Sequence, residues 1–443
     1  MTNIYIQSHG CSANLVEAQS MMGLLSEGGF KIVDDMEYSD VNIINICTVK
    51  GNIAPLQEIK KITEHYPEKK LIVTGCITRD IIRHIREINE SASLINTHNI
   101  HRIVEAVEES LQGNALEALA QDWIIKSNLP KIRTNRIIGI IPIANGCADH
   151  CAYCSVKPIK GNIFSYPEAY ILNEAKKAVD EGCKEIWLTS QDNGAYGLDT
   201  GERKLHILLQ AILNKVPGDY KIRLGMLNPR HVLAIIDDLI KIYQDERMFK
   251  FLHIPVEAGN NEILGKMNRQ YSVHDYKQIV EKFRRYMKDI TIASDIIVGF
   301  PTETELQFQD SLHLIQDIKF DVLNIARYSA RPNTPGAKME GQVPGSIKKE
   351  RSREVTELFE RTALQKNRAW IGWEGKVVID QKCNNDAFQG RNFAYKPVIV
   401  RGNYNLGDEV YAKILYATTY DLRAKILGEP AEIKVGDVSN GQA

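Results

Sequence analysis

Three cysteines packed into one short stretch, Cys147-Ala148-Asp149-His150-Cys151-Ala152-Tyr153-Cys154, constrain this chain more than any other feature. A C-x3-C-x2-C run with no fourth cysteine beside it can hold three irons of a [4Fe–4S] cubane. The fourth iron then stays open to a small-molecule ligand. A structural zinc site is the alternative reading. It wants four N/S ligands, and His150 could be the fourth.

Residues 1–110 alternate short apolar runs with amphipathic stretches. Ile4-Tyr5-Ile6, Val41–Ile46, Leu71-Ile72-Val73 and the weaker Ser93-Leu94-Ile95 read as strands, and 14–27, 54–65, 79–88 and 100–111 as helices. This alternation predicts an open α/β parallel sheet with helices on its faces. A second cysteine set then acquires a position. Cys11 follows the first strand, Cys47 ends the second and Cys76 follows the third. Such sheets bind ligands outside the carboxyl ends of their strands. The three thiols can therefore meet at one edge and hold a second three-cysteine cluster. Three unrelated core cysteines would give the same pattern, since free cysteine is often buried.

Residues 111–136 read as a linker, broken by Pro130 and basic at Lys131, Arg133 and Arg136. From 137 to 345, strands at 137–144, 184–189, 221–226, 249–256, 291–298 and 321–328 alternate with helices at 167–181, 203–215, 230–244, 261–287 and 304–318. This repetition predicts a partial (βα)6 barrel with its chemistry at the C-terminal strand ends. The loop of Cys147, Cys151 and Cys154 follows the first of these strands. Polar clusters at the other strand ends share the same mouth, among them Ser190-Gln191-Asp192, Gly225 to Pro229, His253 to Glu257, Ser294-Asp295 and Gly299-Phe300-Pro301. Each can equally be an ordinary polar loop. A charged helix at 346–369 completes this unit.

From 370 to 428 the pattern turns to short strands: Lys376–Ile379, Pro397–Val400, Glu409–Ile414 and Leu422–Ile426. Gly390-Arg391-Asn392 and Gly407-Asp408 punctuate them. This predicts a small five-stranded β-barrel of OB type. Tyr395, Tyr404, Tyr411, Tyr416 and Tyr420 are interleaved with Lys396, Arg401 and Lys413. Such a face can stack bases and track phosphates, though a solvated barrel face with ordinary strand tyrosines would look alike. Residues 429–443 form a polar tail.

The formal net charge of −1 over 443 residues puts no global field on the molecule, so a polyanion site must come from local clustering. No apolar run reaches ~18 residues, so neither a membrane span nor a membrane partner is expected. Met1 to Ile6 enters a strand pattern directly, so no signal peptide is expected. With the thiol clusters, for which disulfides are a poor reading, this points to a reducing cytoplasm as the expected location.

The order of these units resembles the radical SAM (S-adenosylmethionine) methylthiotransferases over nearly the whole chain. Gly10-Cys11-Ser12-Ala13-Asn14, Asn45-Ile46-Cys47-Thr48-Val49 and Thr74-Gly75-Cys76 match the first part, and Asn145-Gly146-Cys147 through Tyr153-Cys154 the second. The resemblance implies a methylthiotransferase N-terminal domain at 1–110, a radical SAM core at 137–369 and a TRAM domain at 370–428. It implies two [4Fe–4S] clusters, an auxiliary one on Cys11, Cys47 and Cys76 and a radical SAM one on Cys147, Cys151 and Cys154. S-adenosylmethionine would chelate the open iron of the second. Tyr153, between the last two cysteines, would lie near the adenine of SAM. Ser190, Gln191 and Asp192 occupy the strand end that meets the methionine amino group, although the common Gly-Gly-Glu form is absent. Ile297 to Gly299 resembles the backbone stretch that contacts adenine. Arg223 and Glu257 are further mouth residues proposed for the cofactor, and each could be an ordinary ion-pair partner. No catalytic side chain beyond the cluster cysteines is implied. Cys183 and Cys383 match no motif and read as plain thiols.

Finer stretches narrow the resemblance. Asn45 to Lys50, Leu129-Pro130-Lys131-Ile132-Arg133, Glu185 to Gly197 and Phe251 to Val256 are similar to the archaeal and eukaryotic enzymes that methylthiolate C2 of N6-threonylcarbamoyladenosine at position 37 of tRNA. Related enzymes act on isopentenyladenosine tRNA or on a ribosomal-protein aspartate. A non-catalytic iron–sulfur RNA-binding protein is the alternative of another class. The implied partners are the tRNA anticodon loop and an electron donor such as ferredoxin or flavodoxin, with the sulfur donor left open. The polar tail stands where eukaryotic relatives carry a membrane tail, so the chain resembles the soluble archaeal form.

Overall fold

The computed structural model describes residues 1–48, 51, 53–384 and 386–427; Val49, Lys50 and the tail at 429–443 lie outside them. The first sheet has six parallel strands in the spatial order Lys31–Val33, Asn3–Ser8, Val41–Ile46, Lys70–Gly75, Ser93–Asn96 and Glu117–Ala118. Val41–Ile46 is buried along its whole length, which is why it reads as a nearly continuous apolar run. Ile43 packs with Ile4, Met21 and Ile103 on one face, while Ile44 and Ile46 pack with Ile59, Ile62 and Ile81 on the other. The two edge strands were not anticipated. They are three and two residues long, too short to show a period. One of them lies within the stretch read as a linker.

The core strands Ile138–Pro142, Glu185–Thr189, Lys221–Leu224, Phe251–His253, Thr291–Val298 and Val322–Arg327 run in chain order, their paired neighbours parallel. Two three-stranded sheets are joined where Ile222 bridges Met248 and the Leu227 amide donates to the His253 carbonyl at 2.9 Å. Among the described residues the first and last strands do not pair, so the barrel is open. Ile186, Leu188, Ile222, Leu224, Leu252 and Ile296 pack outward into the main core. By the two-residue period, Trp187, Arg223, Phe251 and Asp295 face the interior.

Two expected helices are broken. The stretch 261–287 forms Asn261–Lys266 and Val273–Tyr286. Asn268 turns left-handed at φ 59°, and a Ser272–Asp275 capping box restarts the helix. The stretch 230–244 likewise divides into Pro229–Leu233 and Ile236–Tyr243. The charged stretch is the helix Gly345–Arg368, whose Val355, Phe359 and Ala363 enter the main core.

The C-terminal unit is a closed five-stranded barrel in the order Glu374–Lys382, Ala387–Arg391, Pro397–Arg401, Leu422–Ile426 and Glu409–Ala417. Its second strand was read as a turn because of Gly390. That glycine instead lets two strands approach, since a Cβ there would meet Val377 Cγ1 at 2.5 Å and the Val378 carbonyl oxygen at 2.6 Å. Two residues assigned to an RNA face do something else. Tyr395 is 8% exposed, with its ring against Phe249, Phe251 and Trp187 of the core. Lys396 is 4% exposed and donates to Asp321 at 2.7 Å. Asp321 also accepts from Lys366, and the two ammonium groups hold its carboxyl low against the upward push of burial. Tyr395 and Lys396 thus fasten the barrel to the core. Tyr411, Tyr416 and Tyr420 remain 55%, 57% and 62% exposed.

Candidate functional site

Cys11, Cys47 and Cys76 stand just past the ends of three neighbouring strands of the first sheet. Two asparagines brace this edge. Asn14 Nδ2 donates to Asn45 Oδ1 at 3.1 Å and to the Ile46 carbonyl at 3.0 Å, and Asn45 Nδ2 returns a bond to the Asn14 carbonyl at 2.8 Å. Gly75, at φ +100°, makes the crossing possible, because a Cβ there would lie 2.4 Å from both Asn45 Oδ1 and the Ile46 oxygen. Cys47 sits between the other two thiols. Its hydrogen bond with Cys11, with burial, pushes the Cys11 thiol up. Its hydrogen bond with Cys76 holds that thiol down, helped by the Lys160 ammonium.

The second triad lies on the loop after Ile138–Pro142. Gly146, at φ +75°, passes so close to Asn162 that a Cβ would meet its carbonyl oxygen at 1.9 Å. The broken-helix segment found above clamps this loop. The Ala152 amide donates to the Met267 carbonyl at 2.9 Å, and Asn268 Nδ2 to the His150 carbonyl at 2.8 Å. Arg269 Nη1 donates to Cys151 Sγ at 3.2 Å. Burial and the Asp192 carboxylate push the Cys147 thiol up to about 12. Coordination to iron would reverse that, since a bound metal keeps its thiols deprotonated.

The donor set on the Cys147–Cys154 loop suits a cluster better than zinc. Among the described residues only Asp149, Asp192 and His231 bring three ligand atoms within 4.8 Å of one another; neither cysteine triad is that compact. Zinc–sulfur bonds of about 2.3 Å would draw tetrahedral thiolates to about 3.8 Å apart. A cubane puts each ligand on a different iron and spreads them wider. His150 is exposed and joins no such group.

The other expected residues fall into different places. Ser190 and Gln191 face the seam with the first domain, beside Ala13 and Lys160. Ser190 Oγ and Gln191 Oε1 have no hydrogen-bond partner among the described residues, which leaves them able to meet a polar ligand. Asp192 is turned inward: its Oδ1 accepts from the Gly194 amide at 2.9 Å and the Asn228 amide at 3.0 Å. It lies near His231 and Asp149, and Asp149 is tied to Asn228 at 2.6 Å and Arg230 at 2.8 Å. Tyr153 lies beside Glu257, whose carboxyl burial pushes up. Glu257 has φ +71°, and its carbonyl accepts the Ile297 amide at 2.9 Å. The Gly299 amide is engaged by Glu303 at 2.6 Å. Arg223 lies below the mouth, among Trp187, Phe251 and Tyr395 with its guanidinium 4.9–5.4 Å from their centroids, apart from the cysteine loop.

Residues that the sequence reading passed over tie the two triads together. Glu17 Oε1 is buried and accepts from Lys126 at 2.6 Å, Lys160 at 2.8 Å and Thr97 at 2.5 Å. Glu17 and Thr97 belong to the first domain, Lys126 to the segment after it, and Lys160 follows the second cysteine loop. Against burial, the two ammonium groups hold the Glu17 carboxyl down to about 2. Burial and the neighbouring Lys160 bring Lys126 down to about 8, despite the attraction of Glu17. A cleft of about 660 Å³ opens beside this seam. Thr48, Ile77 and Thr78 line it just after Cys47 and Cys76, Ser155 lines it just after Cys154, and Arg331 closes it.

Comparison with known proteins places relatives beside both of the first two domains. Residues 141–315 match the Radical SAM superfamily and residues 3–96 the uncharacterized protein family UPF0004. A protein of Archaeoglobus fulgidus named "Probable threonylcarbamoyladenosine tRNA methylthiotransferase" is 38% identical, over 93% of this chain and 95% of its own. The like-named protein of Pyrococcus horikoshii is 37% identical over 90% and 94%. The human threonylcarbamoyladenosine tRNA methylthiotransferase is 36% identical over 90% of this chain and 69% of its own. Among solved structures, the radical SAM methyltransferase TsrM of Kitasatospora setae superposes with a TM-score of 0.56 at 13% identity, over 76% and 75% of the two chains; this likeness concerns the fold alone.

Proposed function

We infer that this chain, which belongs to the radical SAM threonylcarbamoyladenosine tRNA methylthiotransferases, methylthiolates C2 of N6-threonylcarbamoyladenosine at position 37 of tRNA. The product is the 2-methylthio derivative. The observation that carries this reading is the shared cleft: residues next to Cys47 and Cys76 and a residue next to Cys154 line one cavity, as a reaction that joins radical formation to sulfur insertion requires. In our assignment residues 1–110 carry the auxiliary cluster on Cys11, Cys47 and Cys76, 137–369 carry the radical SAM cluster on Cys147, Cys151 and Cys154, and 370–428 bind RNA.

When bound, the clusters and SAM supply the radical that takes the hydrogen from adenine C2, and the sulfur and methyl group that replace it. The chain's part is placement. Arg269 donates to the Cys151 sulfur, a hydrogen bond that favours electron acceptance by a thiolate-bound cluster. Ser190 and Gln191 offer unpaired oxygens at the strand end assigned to the methionine amino group, and Tyr153 with Ile297 supplies an apolar wall. The Glu17–Lys126–Lys160 group fixes the two cysteine loops relative to one another. On the barrel, Tyr411 and Tyr416 pair in register with Lys376 and Arg423, an aromatic and basic surface suited to RNA. Ferredoxin or flavodoxin is the proposed class of electron donor. No described helix is long and apolar enough to cross a membrane, and the unpaired cysteines favour the cytoplasm.

Nucleoside analysis of tRNA from a strain lacking this gene tests the reading. Loss of the 2-methylthio form with accumulation of N6-threonylcarbamoyladenosine is expected. An unchanged profile, or loss of the methylthio group from isopentenyladenosine instead, would overturn it.

A further inference from the structure

We propose that Arg331 recognises the carboxylate on the N6 substituent of the target adenine, with Arg79 as a second cation in the same cleft. This rests on the substrate reading above and names the residues that would enforce it. A base reacting between the two cysteine triads has beside it the cleft lined by the residues that follow both, and its substituent can enter there. One part of the lining is Ile77 to Arg79, directly after Cys76; another is Ser155, Pro158 and Ile159, directly after Cys154. Arg331 to Asn333, beyond the last core strand, complete it.

The charge state of this lining selects a ligand class. Elsewhere arginines near carboxylates are paired: Arg86 with Glu117, Arg230 with Asp149, Arg351 with Glu303. The guanidinium groups of Arg331 and Arg79 have no hydrogen-bond, carboxylate or ring partner among the described residues. Among the described residues of the lining Asp80 is the one acidic group, and Arg79 and Arg331 outnumber it before the nucleic acid arrives.

The backbone of Arg331 is held in place against the cluster loop. Its carbonyl accepts from Thr334 Oγ1 at 2.8 Å and from the Thr334 amide at 3.2 Å. Thr334 caps the turn Pro335–Lys338, and the Gly336 amide donates to the carbonyl of Ala152, inside the cysteine loop, at 2.8 Å. The cation is thus referenced to the radical-forming cluster through two short steps of backbone. A guanidinium and a carboxylate can form two parallel charge-assisted bonds. An isopentenyl group, or an unsubstituted amino group, offers no such partner and would leave the arginine desolvated without compensation.

The test uses the full-length protein with both clusters reconstituted, and anticodon stem-loops carrying adenosine 37 in three forms: threonylcarbamoyl, the same group with its carboxylate converted to the carboxamide, and unmodified. Affinity is read by fluorescence anisotropy, and iron content checks folding. The wild type is expected to prefer the carboxylate loop over the carboxamide loop by about tenfold, the scale of one charge-assisted contact. Arg331→Gln should bind the two alike, Arg331→Lys should recover part of the preference, and Arg79→Gln should reduce it less. A wild type indifferent to the change from carboxylate to carboxamide, or an Arg331→Gln variant that retains the wild-type preference, would overturn the proposal. If the wild type makes no methylthio product from the threonylcarbamoyl loop, the substrate reading fails and this proposal fails with it. If product forms without carboxylate preference, only the assignment of Arg331 and Arg79 fails.

Discussion

Replacing Glu17 by glutamine removes the one carboxylate that two buried ammonium groups share. The cost can be worked in two ways. An ordinary glutamate titrates near about 4.3, and holding Glu17 down to about 2 corresponds to about 3 kcal/mol at 1.36 kcal/mol per pH unit. Removing one partner of a buried ion pair typically costs ~3–5 kcal/mol, because the charge left behind has neither water nor a counter-ion. Both routes give about 3 kcal/mol or more for Glu17→Gln. Lys160→Met gives up an ammonium group that Glu17 and the Cys76 thiol hold charged against burial, but it should cost less than Glu17→Gln, because it leaves Lys126 and Glu17 as a neutral pair and ends the repulsion between the two lysines. Equilibrium urea unfolding of the reduced, iron-free protein, with wild type and both variants in parallel, measures this order. The acid limb adds a sign. A carboxylate whose folded pKa lies below its unfolded value contributes fully above about 4.3 and loses that contribution as pH falls through about 2. The gap between wild type and Glu17→Gln should therefore close on acidification. A Glu17→Gln loss under about 1 kcal/mol, or a Lys160→Met variant less stable than Glu17→Gln, would refute the view that Glu17 neutralises this seam.

Three further outcomes are expected. Cys151→Ala should abolish formation of 5′-deoxyadenosine from SAM while retaining about half the iron, on the auxiliary triad; Cys47→Ala should retain the other half, and unchanged iron in either variant would remove that cysteine from its role. Glu185 is buried beside Asp380, which together push its carboxyl up to about 7. The folded state then binds the proton more tightly, so stability falls as pH rises from about 4.3 to 7, and Glu185→Gln should gain about 3–4 kcal/mol at pH 8 and almost nothing near pH 4; an equal effect at both values would contradict the burial argument. If the exposed barrel face tracks phosphates, Arg401→Ala and Arg423→Ala should each lower the salt slope of tRNA binding by about 1, while a flat salt dependence would remove that face from the interface.

Most of the architecture was legible because it is written in local periods. The parallel strands of the first two domains are apolar runs bounded by turn residues, and strand-end cysteines follow from strand positions alone. What escaped is what depends on distant parts of the chain. Arg269 reaches Cys151 only because the helix breaks at Asn268 and restarts at Ser272, a capping signal lying inside an otherwise helical pattern. Tyr395 and Lys396 look like surface residues of a turn between two strands, yet they are buried because the barrel docks on Phe249 and Asp321. The Glu17–Lys126–Lys160 group joins residues far apart in sequence. No local pattern marks it. A Ser272-x-x-Asp275 box was the one available signal for the loop that holds the cysteines. Gly390 was misread because glycine marks turns and close strand approaches alike.

The most direct measurement is mass spectrometry of products from the anaerobically reconstituted protein incubated with SAM, a strong reductant and tRNA carrying N6-threonylcarbamoyladenosine. The account predicts the 2-methylthio nucleoside together with 5′-deoxyadenosine. Formation of 5′-deoxyadenosine without the methylthio nucleoside would contradict the assigned substrate, and absence of both products with both clusters intact would contradict the enzymatic reading itself.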